Sequence, residues 1–315
     1  MEVEVRMDPQ RPPMSLEEFR RIAPPHAVGI DGCVDAGPWR DFGSTGPRYV
    51  WNHHSHVDRL ATRATCMQAL LELRCGDLDE ILRGSTGRPF AIVFADDCDA
   101  DASSTIVILR RSELFAHPVN PLANRFVGAE DLMDTFAGAY PYPCDLELLE
   151  ELAWIFQPYD DFRQEGGLER KIAAEYLRVV DLIEANIVQY LVGRGKRRKL
   201  DLRYDVLQTG NGWTMVREHG AQARTKMRDD GIRVFVSVHE RTSGTRDVRI
   251  GKMHLHARGD LIAICNDLNA REGVAADRWG GGTNIIGSPK VAGTKLDDRT
   301  IMEVLNHHLG LPLAA

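Results

Sequence analysis

No apolar run in the sequence approaches the about 18 residues that a membrane-spanning helix needs, so no membrane partner is expected. There is no C-x-x-C pair: the six cysteines, Cys33, Cys66, Cys75, Cys98, Cys144 and Cys265, are scattered. With no secretory leader before them, they read as reduced thiols in a soluble, cytoplasmic protein. Positive charge is in deficit. The formal net charge of −7 argues against a broad hold on long duplex nucleic acid, which needs a basic face. Internal repeats and low-complexity segments are absent. What remains is ordinary for a folded protein, 43% hydrophobic and 27% charged, and 315 residues suffice for one large or two medium domains.

Chemistry concentrates in three places. The first is the acidic stretch at 96–101, where Asp97, Asp99 and Asp101 recur at every second position behind an apolar run at 91–95. The run reads as a buried strand, and carboxylates at the carboxyl end of a strand lie where α/β sheets build sites. In an extended turn such carboxylates converge on one point and suit a hard divalent cation. With Asp96 they also repel one another unless neutralised. An acidic surface loop is the plain alternative; the strand in front and the histidines upstream weigh against it.

The second place is a pair of strand ends. A short apolar strand leads into Asp31-Gly-Cys-Val-Asp35, and another at 48–51 leads into Asn52, His53, His54 and His56, followed by Asp58, Arg59 and Arg63. Imidazole at a strand end ligates transition metals, donates protons or contacts phosphate. The third place is Gly280-Gly281-Gly282-Thr283-Asn284 with Ser288 and Lys290, glycines bracketed by donors suited to phosphate.

Between these, a helix is expected at 15–22, capped by Ser15 with Glu18 in the capping-box position, and another at 59–74. Residues 112–143 read as mixed, broken by Pro118, Pro121, Pro141 and Pro143, with helices following at 145–156 and 168–192. The basic run at 193–199 marks a hinge. Beyond it the pattern is α/β, with strands at 204–209, 213–217, 233–239 and 248–252 and a helix at 260–269. The fold class is α/β throughout, divided as 1–165, a helical connector at 166–200, and 201–315.

The segment Phe94–Thr105, taken as 94–105, resembles the first metal motif of the DHH phosphoesterase superfamily, closest to the D-x-D-x-D-G form of RecJ-type exonucleases. Asp31, and His53-His54 some twenty residues on, resemble that family's second and third motifs. Residues 279–293 resemble the glycine loop of its accessory DHHA1 substrate domain. The resemblance thus implies a mainly parallel-sheet DHH-like first domain and a smaller DHHA1-like second one. Three departures stand out: Asn52 replaces the first Asp of the Asp-His-His signature, the motif order is permuted, and Thr283 stands where the loop has His. For the family's fourth motif, a further Asp, the sequence offers Asp35 and the Asp160-Asp161 pair; Asp58 and Asp96 are also available to complete the site.

If carried over, the family implies hydrolysis of a small phosphorylated substrate, a nucleotide or short oligonucleotide, with two Mn²⁺ or Mg²⁺ ions. Asp31, His53, Asp97, Asp99 and Asp101 are then the metal ligands, and His54 or His56 and Arg59 contact the phosphate. Arg63 and the segment Gly280, Gly281, Gly282, Thr283, Asn284, Ser288, Lys290 hold the substrate. A homodimer is compatible with this reading. Two other classes stay open: a nucleotide-binding regulatory protein without catalysis, and an unrelated hydrolase or lyase holding one ion through His53, His56 and one Asp.

Overall fold

Three apolar tetra- to hexapeptides of the N-terminal half, AVGI, RYVW and FAIVFA, become neighbouring strands of one sheet. The computed structural model describes residues 1–310 apart from 44–45, 77, 117–119, 242 and 255–256, so the expected break at Pro118 lies outside the described residues. The chain divides into two units, Met1–Thr135 with Glu147–Lys199, and Phe136–Leu146 with the chain from Leu200 onward. The 166–199 part of the expected connector therefore belongs to the first unit, and a short segment before Glu147 belongs to the second.

The first unit opens with β1 (Glu2–Met7), β2 (Met14–Ser15), α1 (Leu16–Ile22), β3 (Ala27–Ile30), β4 (Val34–Asp35), β5 (Trp39–Asp41) and β6 (Arg48–Trp51). It continues with α2 (Thr65–Cys75), α3 (Leu78–Ile81), β7 (Phe90–Ala95), α4 (Ala100–Arg110), α5 (Ser112–Phe115) and α6 (Pro121–Thr135). It closes with α7 (Glu147–Ile155), α8 (Gln157–Gln164), α9 (Gly167–Arg170) and α10 (Ala173–Leu191). The main sheet runs β1-β7-β3-β6-β5, with the first four strands parallel and β5 antiparallel to β6. β3 and β6 are buried at every residue and β7 at all but its first, as expected of parallel strands covered on both faces. β1, at the edge, instead alternates exposed and half-buried residues.

On one face Phe19 of α1 is fully buried and meets Phe94 edge-on, ring centres 5.7 Å apart. That burial contributes roughly 1.5–3 kcal/mol. Gly29 makes the approach feasible, since a Cβ there would lie 2.8 Å from Val34 and 3.4 Å from Phe19. By strand alternation the opposite face carries α4 and α2, with α4 packed on β1 and β7 and α2 on β6.

Several expectations need correcting. Ser15 caps α1 by accepting from the Glu18 amide, but the Glu18 carboxylate is paired with Arg11. The helix expected at 59–74 starts at Thr65, and the one expected from 168 is interrupted at Lys171, whose φ of 52° is left-handed. The region 112–143 contains the fifteen-residue α6. Pro121 begins that helix, where a missing N–H is harmless, while the Asn120 side chain accepts from the amides of Leu122 and Ala123.

The second unit carries β8 (Tyr204–Thr209), β9 (Thr214–Glu218), α11 (Ala223–Asp229), β10 (Val234–Glu240) and β11 (Arg246–Lys252). It ends with α12 (Leu261–Glu272), β12 (Gly280–Gly281), β13 (Ile285–Gly287) and α13 (Asp298–Leu309). Its sheet runs β12-β13-β11-β10-β9-β8, with β9 and β10 parallel and the other pairs antiparallel. Val234, Val236 and Val238 face Ile264, Leu268, Ile301 and Leu305, while Phe235 points the other way onto Ala223 and Met227. β10 is therefore covered on both faces. No helix among the described residues is long and apolar enough to cross a membrane.

Candidate metal centre

The carboxyl ends of β7, β3 and β6 lie side by side, and each delivers part of one polar cluster. Asp31 follows β3 with a left-handed φ of 49°, a conformation Asp tolerates better than most residues, and its amide donates to Trp51 O at 3.0 Å. His53 and His54 follow β6; Asp96, Asp97 and Asp99 follow β7. The aspartate ladder is not an extended turn. Asp99 is the N-cap of α4, accepting from the Ala102 amide at 3.0 Å, and Asp101 sits in the first helical turn. This fits the preference of Asp for the N-cap.

His53 is the centre of the cluster. Its Nε2 lies 2.7 Å from Asp134 Oδ2, 3.7 Å from Asp31 Oδ1 and 3.8 Å from Asp101 Oδ2. Both ring nitrogens are buried; Nε2 is in close contact with the Asp134 carboxylate, and Nδ1 has no hydrogen-bond partner among the described residues. Two ligand sets able to hold a metal ion result, Asp31-His53-His54 and His53-Asp101-Asp134. A buried imidazole nitrogen ringed by carboxylate oxygens is the donor set a divalent cation fits.

Around it, further bonds fix the pieces. Arg59 donates from Nη1 to His54 Nδ1 at 3.0 Å and from Nη2 to Asp134 Oδ2 at 3.1 Å and Asp134 O at 2.8 Å. Guanidinium can only donate, so Nδ1 of His54 accepts and Nε2 carries the proton, which it gives to Asp31 Oδ1 at 2.6 Å. Both Asp101 oxygens are occupied, Oδ2 by the Thr65 amide and hydroxyl at 2.7 and 2.6 Å and Oδ1 by the Cys66 amide at 2.7 Å. Asp101 thereby anchors the positive end of α2.

Electrostatically the cluster carries excess negative charge. Burial, then the neighbouring Asp101 and Asp134, push the Asp31 carboxyl well up. Burial with Asp31, Asp97 and Asp134 does the same to Asp99, and burial with Asp134 and Asp101 to Glu130. Burial also works against ionisation of Asp134, but Arg59 and His53 overcome it and hold that carboxyl below its usual range. Burial disfavours the His53 imidazolium, yet Asp134 and Asp101 outweigh it and raise its pKa. His54, desolvated and facing Arg59, is lowered well below the usual imidazole value. Burial, Asp97 and Asp99 keep the Tyr159 phenol protonated.

Of the expected ligands, Asp31, His53 and Asp101 fall in these sets. Asp99 is electrostatically linked to Asp31 and Asp134, whereas Asp97 is half-buried and accepts from the Cys98 amide. His56 is outside both sets, its side chain 67% exposed and near Asp35, so the single-ion arrangement through His53 and His56 is not what the fold assembles. Arg59 and His54 are spent on Asp134 and Asp31. Arg63 is mostly exposed and pairs with Asp131 at 2.9 Å.

Asn52 is fully buried; its amide donates to Val34 O at 3.0 Å and Ala36 O at 2.7 Å, and its oxygen accepts from the His54 amide. A carboxylate could not make the first two bonds, which accounts for an amide at this position.

The residue that sequence reading missed is Asp134. Asp35 is exposed, Asp161 pairs with Arg198, and Asp58 caps its own turn through the Leu60 amide. Asp134 instead comes from α6, together with Glu130 one turn earlier. The available signal was the helical stripe Ala123, Phe126, Val127, Glu130, Asp134, in which acids occupy positions whose neighbours are core.

In the second unit, Gly280 and Gly281 form β12 and pair with β13 across a turn containing Thr283 and Asn284. Gly281 has a φ of 134° and no room for a Cβ, which would sit 2.4 Å from Ile285 O. The Ser288 hydroxyl accepts from the Val248 amide at 3.0 Å, and Lys290 O accepts from Arg241. The run is thus built as a hairpin on the sheet edge. Comparison with protein-family models gave no match, and comparison with curated proteins gave none either.

Proposed function

We propose that the chain is a metal-dependent phosphoesterase that hydrolyses a small phosphorylated substrate, a nucleotide or short oligonucleotide, with two Mn²⁺ or Mg²⁺ ions. The observation that carries this reading is the buried His53 ring, its Nε2 within 3.8 Å of carboxylates of Asp134, Asp31 and Asp101 and its Nδ1 without a hydrogen-bond partner among the described residues. The resemblance to DHH phosphoesterases supports it. Motifs out of order along the chain follow strands β7, β3 and β6, which are adjacent in the sheet. In this reading the first unit is DHH-like and the second a DHHA1-like substrate domain.

Bound divalent cations supply Lewis-acid stabilisation of phosphoryl charge and lower the pKa of water. The chain's own groups do the positioning. His53, Asp134 and Asp31 hold the ions, with Asp99 beside them. Arg59 fixes the Asp134 carboxylate, the Nε2–H of His54 orients Asp31, and Asp101 keeps a negative charge tied to α2. The Tyr159 phenol is a neutral donor near Asp97 and Asp99.

The test is Mn²⁺-stimulated hydrolysis of a panel of phosphomonoesters and dinucleotides by the full chain. Activity should drop at least a hundredfold in Asp134→Asn and in Asp99→Ala, with two ions bound per wild-type chain in equilibrium dialysis. No hydrolysis of any panel member, or an unaltered rate in Asp134→Asn, overturns the proposal. One observation favours the non-catalytic alternative: both Asp101 oxygens are already filled by α2, which weakens a second ion's ligand set. One ion per chain, with nucleotide bound and recovered intact, would identify that case.

A further inference from the structure

Beside the metal centre, at the carboxyl ends of β1 and β7, lies a cavity of about 310 Å³. Its walls are apolar, made largely by Met7, Pro12, Met14 and Phe94. The Asp8 and Asp96 side chains also line it. Two arginines reach it, but each is already neutralised: Arg6 by Glu4 at 2.7 Å and Arg11 by Glu18 at 2.5 Å. Arg6 also covers the Phe94 ring at 5.3 Å. The cavity therefore offers hydrophobic walls and acceptor oxygens rather than unpaired positive charge, so an anion is a poor match and an apolar heterocycle with N–H donors a good one.

We propose that this cavity binds a nucleobase through its N–H edge, with Asp8 as acceptor and Met14 and Phe94 as walls, and so reads the base of the nucleotide whose phosphate meets the His53 centre. The inference rests on the proposed function for its biological sense but not for its chemistry. At the low end of ligand-pocket volumes, the cavity has room for one base and not for an oligonucleotide.

Its position ties it to the metal centre. Cys33, in its wall, is two residues beyond Asp31, so their Cα atoms are at most about 7.6 Å apart. The Cys33 thiol donates to Phe94 O at 3.1 Å, fixing that wall to β7. Asp96 immediately precedes Asp97. One sugar separates a base from its phosphate, and the cavity and the cluster share the strand ends after β3 and β7.

Asp8 is exposed, and its Oδ1 accepts a 3.3 Å bond from the Gln10 amide. Its Oδ2 has no protein hydrogen bond among the described residues. A carboxylate accepts two parallel N–H bonds, the pattern of the N1 and N2 edge of guanine, whereas adenine offers an acceptor beside its donor. Guanosine should therefore bind more tightly than adenosine.

The experiment is calorimetric titration of the full chain, held in EDTA, with guanosine and adenosine, neither of which carries phosphate. Guanosine should bind with submillimolar Kd, at least fivefold tighter than adenosine, and Asp8→Ala should weaken it at least tenfold with an unchanged melting temperature. Arg83→Ala, outside the cavity and paired with Glu80, should shift Kd less than threefold. Absence of guanosine binding, or equal binding by Asp8→Ala, overturns the inference. If Asp8→Ala fails to fold, Asp8→Asn, which keeps the shape and loses the paired acceptor, is read by the same criterion. Guanosine binding without hydrolysis of any phosphoester would sink the proposed function alone; Mn²⁺-dependent hydrolysis without nucleoside binding would sink this inference alone.

Discussion

Arg59 donates to Nδ1 of His54 at 3.0 Å, and that one bond fixes which nitrogen of the ring carries the proton. His54 is consequently neutral, with its Nε2–H committed to Asp31. The same guanidinium grips Asp134, so a single buried cation sets two members of the cluster. In Arg59→Met both lose their support. Removing one partner of a buried ion pair costs about 3–5 kcal/mol, and urea denaturation should show a loss of that size. Nitrogen NMR of the His54 ring should report the Nε2–H tautomer in the wild-type chain and a mixture in the variant. Retention of the single tautomer would mean that Asp31 alone selects it.

The crowded carboxylates make stability depend on pH. Asp31, Asp99 and Glu130 all have folded pKa values above their unfolded ones, so above about pH 4 the folded state holds more protons than the unfolded state. Their contribution to stability therefore falls as pH rises. His53, raised by Asp134, acts in the same sense: its contribution is complete below the unfolded imidazole value and is lost as pH climbs through the folded one. His54 opposes them, because its depressed pKa costs stability below the unfolded value and that cost disappears as pH rises. His26, lowered by burial, acts as His54 does; with four groups against two, EDTA-treated protein should lose melting temperature between pH 5 and pH 8. Saturating Mn²⁺ should flatten or reverse that slope, since ligands must shed protons to bind it. Calorimetry in buffers of different ionisation enthalpy should register proton release on binding; its absence would contradict the ligand assignment.

Asn52 stands where the proposed DHH-like reading would place an acid, and its surroundings suit an amide. In Asn52→Asp both carbonyls face a carboxylate; Val34 O keeps the Ala36 amide at 2.9 Å, whereas Ala36 O loses its donor. Leaving the buried Ala36 acceptor without a partner costs about 1–3 kcal/mol, measurable by urea denaturation. Mn²⁺ affinity should not improve. A tighter-binding, equally stable variant would show that the position is a ligand site after all.

How much of this the sequence disclosed follows from where side chains are buried. The strands β3, β6 and β7 were legible because burial on both faces leaves an uninterrupted apolar run, and the turn after each begins with a polar residue. Asp31 and His53 could be read directly from that. The strand β1 was not, because its edge position leaves only alternation among charges, EVEVRM. Nor was α6, since a proline that starts a helix looks the same in sequence as one that ends it. With α6 went Asp134, whose role depends on Arg59, seventy-five positions away, and on no local pattern. Both failures concern residues whose meaning is set by tertiary neighbours.

Glu130 offers the most economical check on the charge balance, because it belongs to neither metal-holding set yet feels both. It is 4% exposed, and burial together with Asp134 and Asp101 raises its pKa well above the usual carboxylate value. A proton held on Glu130 in the folded state is lost from the unfolded chain above about pH 4.3, so the group becomes a growing liability as pH rises. Gln has nearly the same shape and never ionises. The stability advantage of Glu130→Gln over the wild-type chain should therefore be larger at pH 8 than at pH 5, in EDTA. Glu130→Ala, which removes the same proton but leaves a void, should be less stable than Glu130→Gln at both pH values. Urea denaturation at the two pH values decides it: a Gln variant that loses stability equally at both would place Glu130 in a hydrogen bond that needs its carboxyl group rather than in an electrostatic conflict.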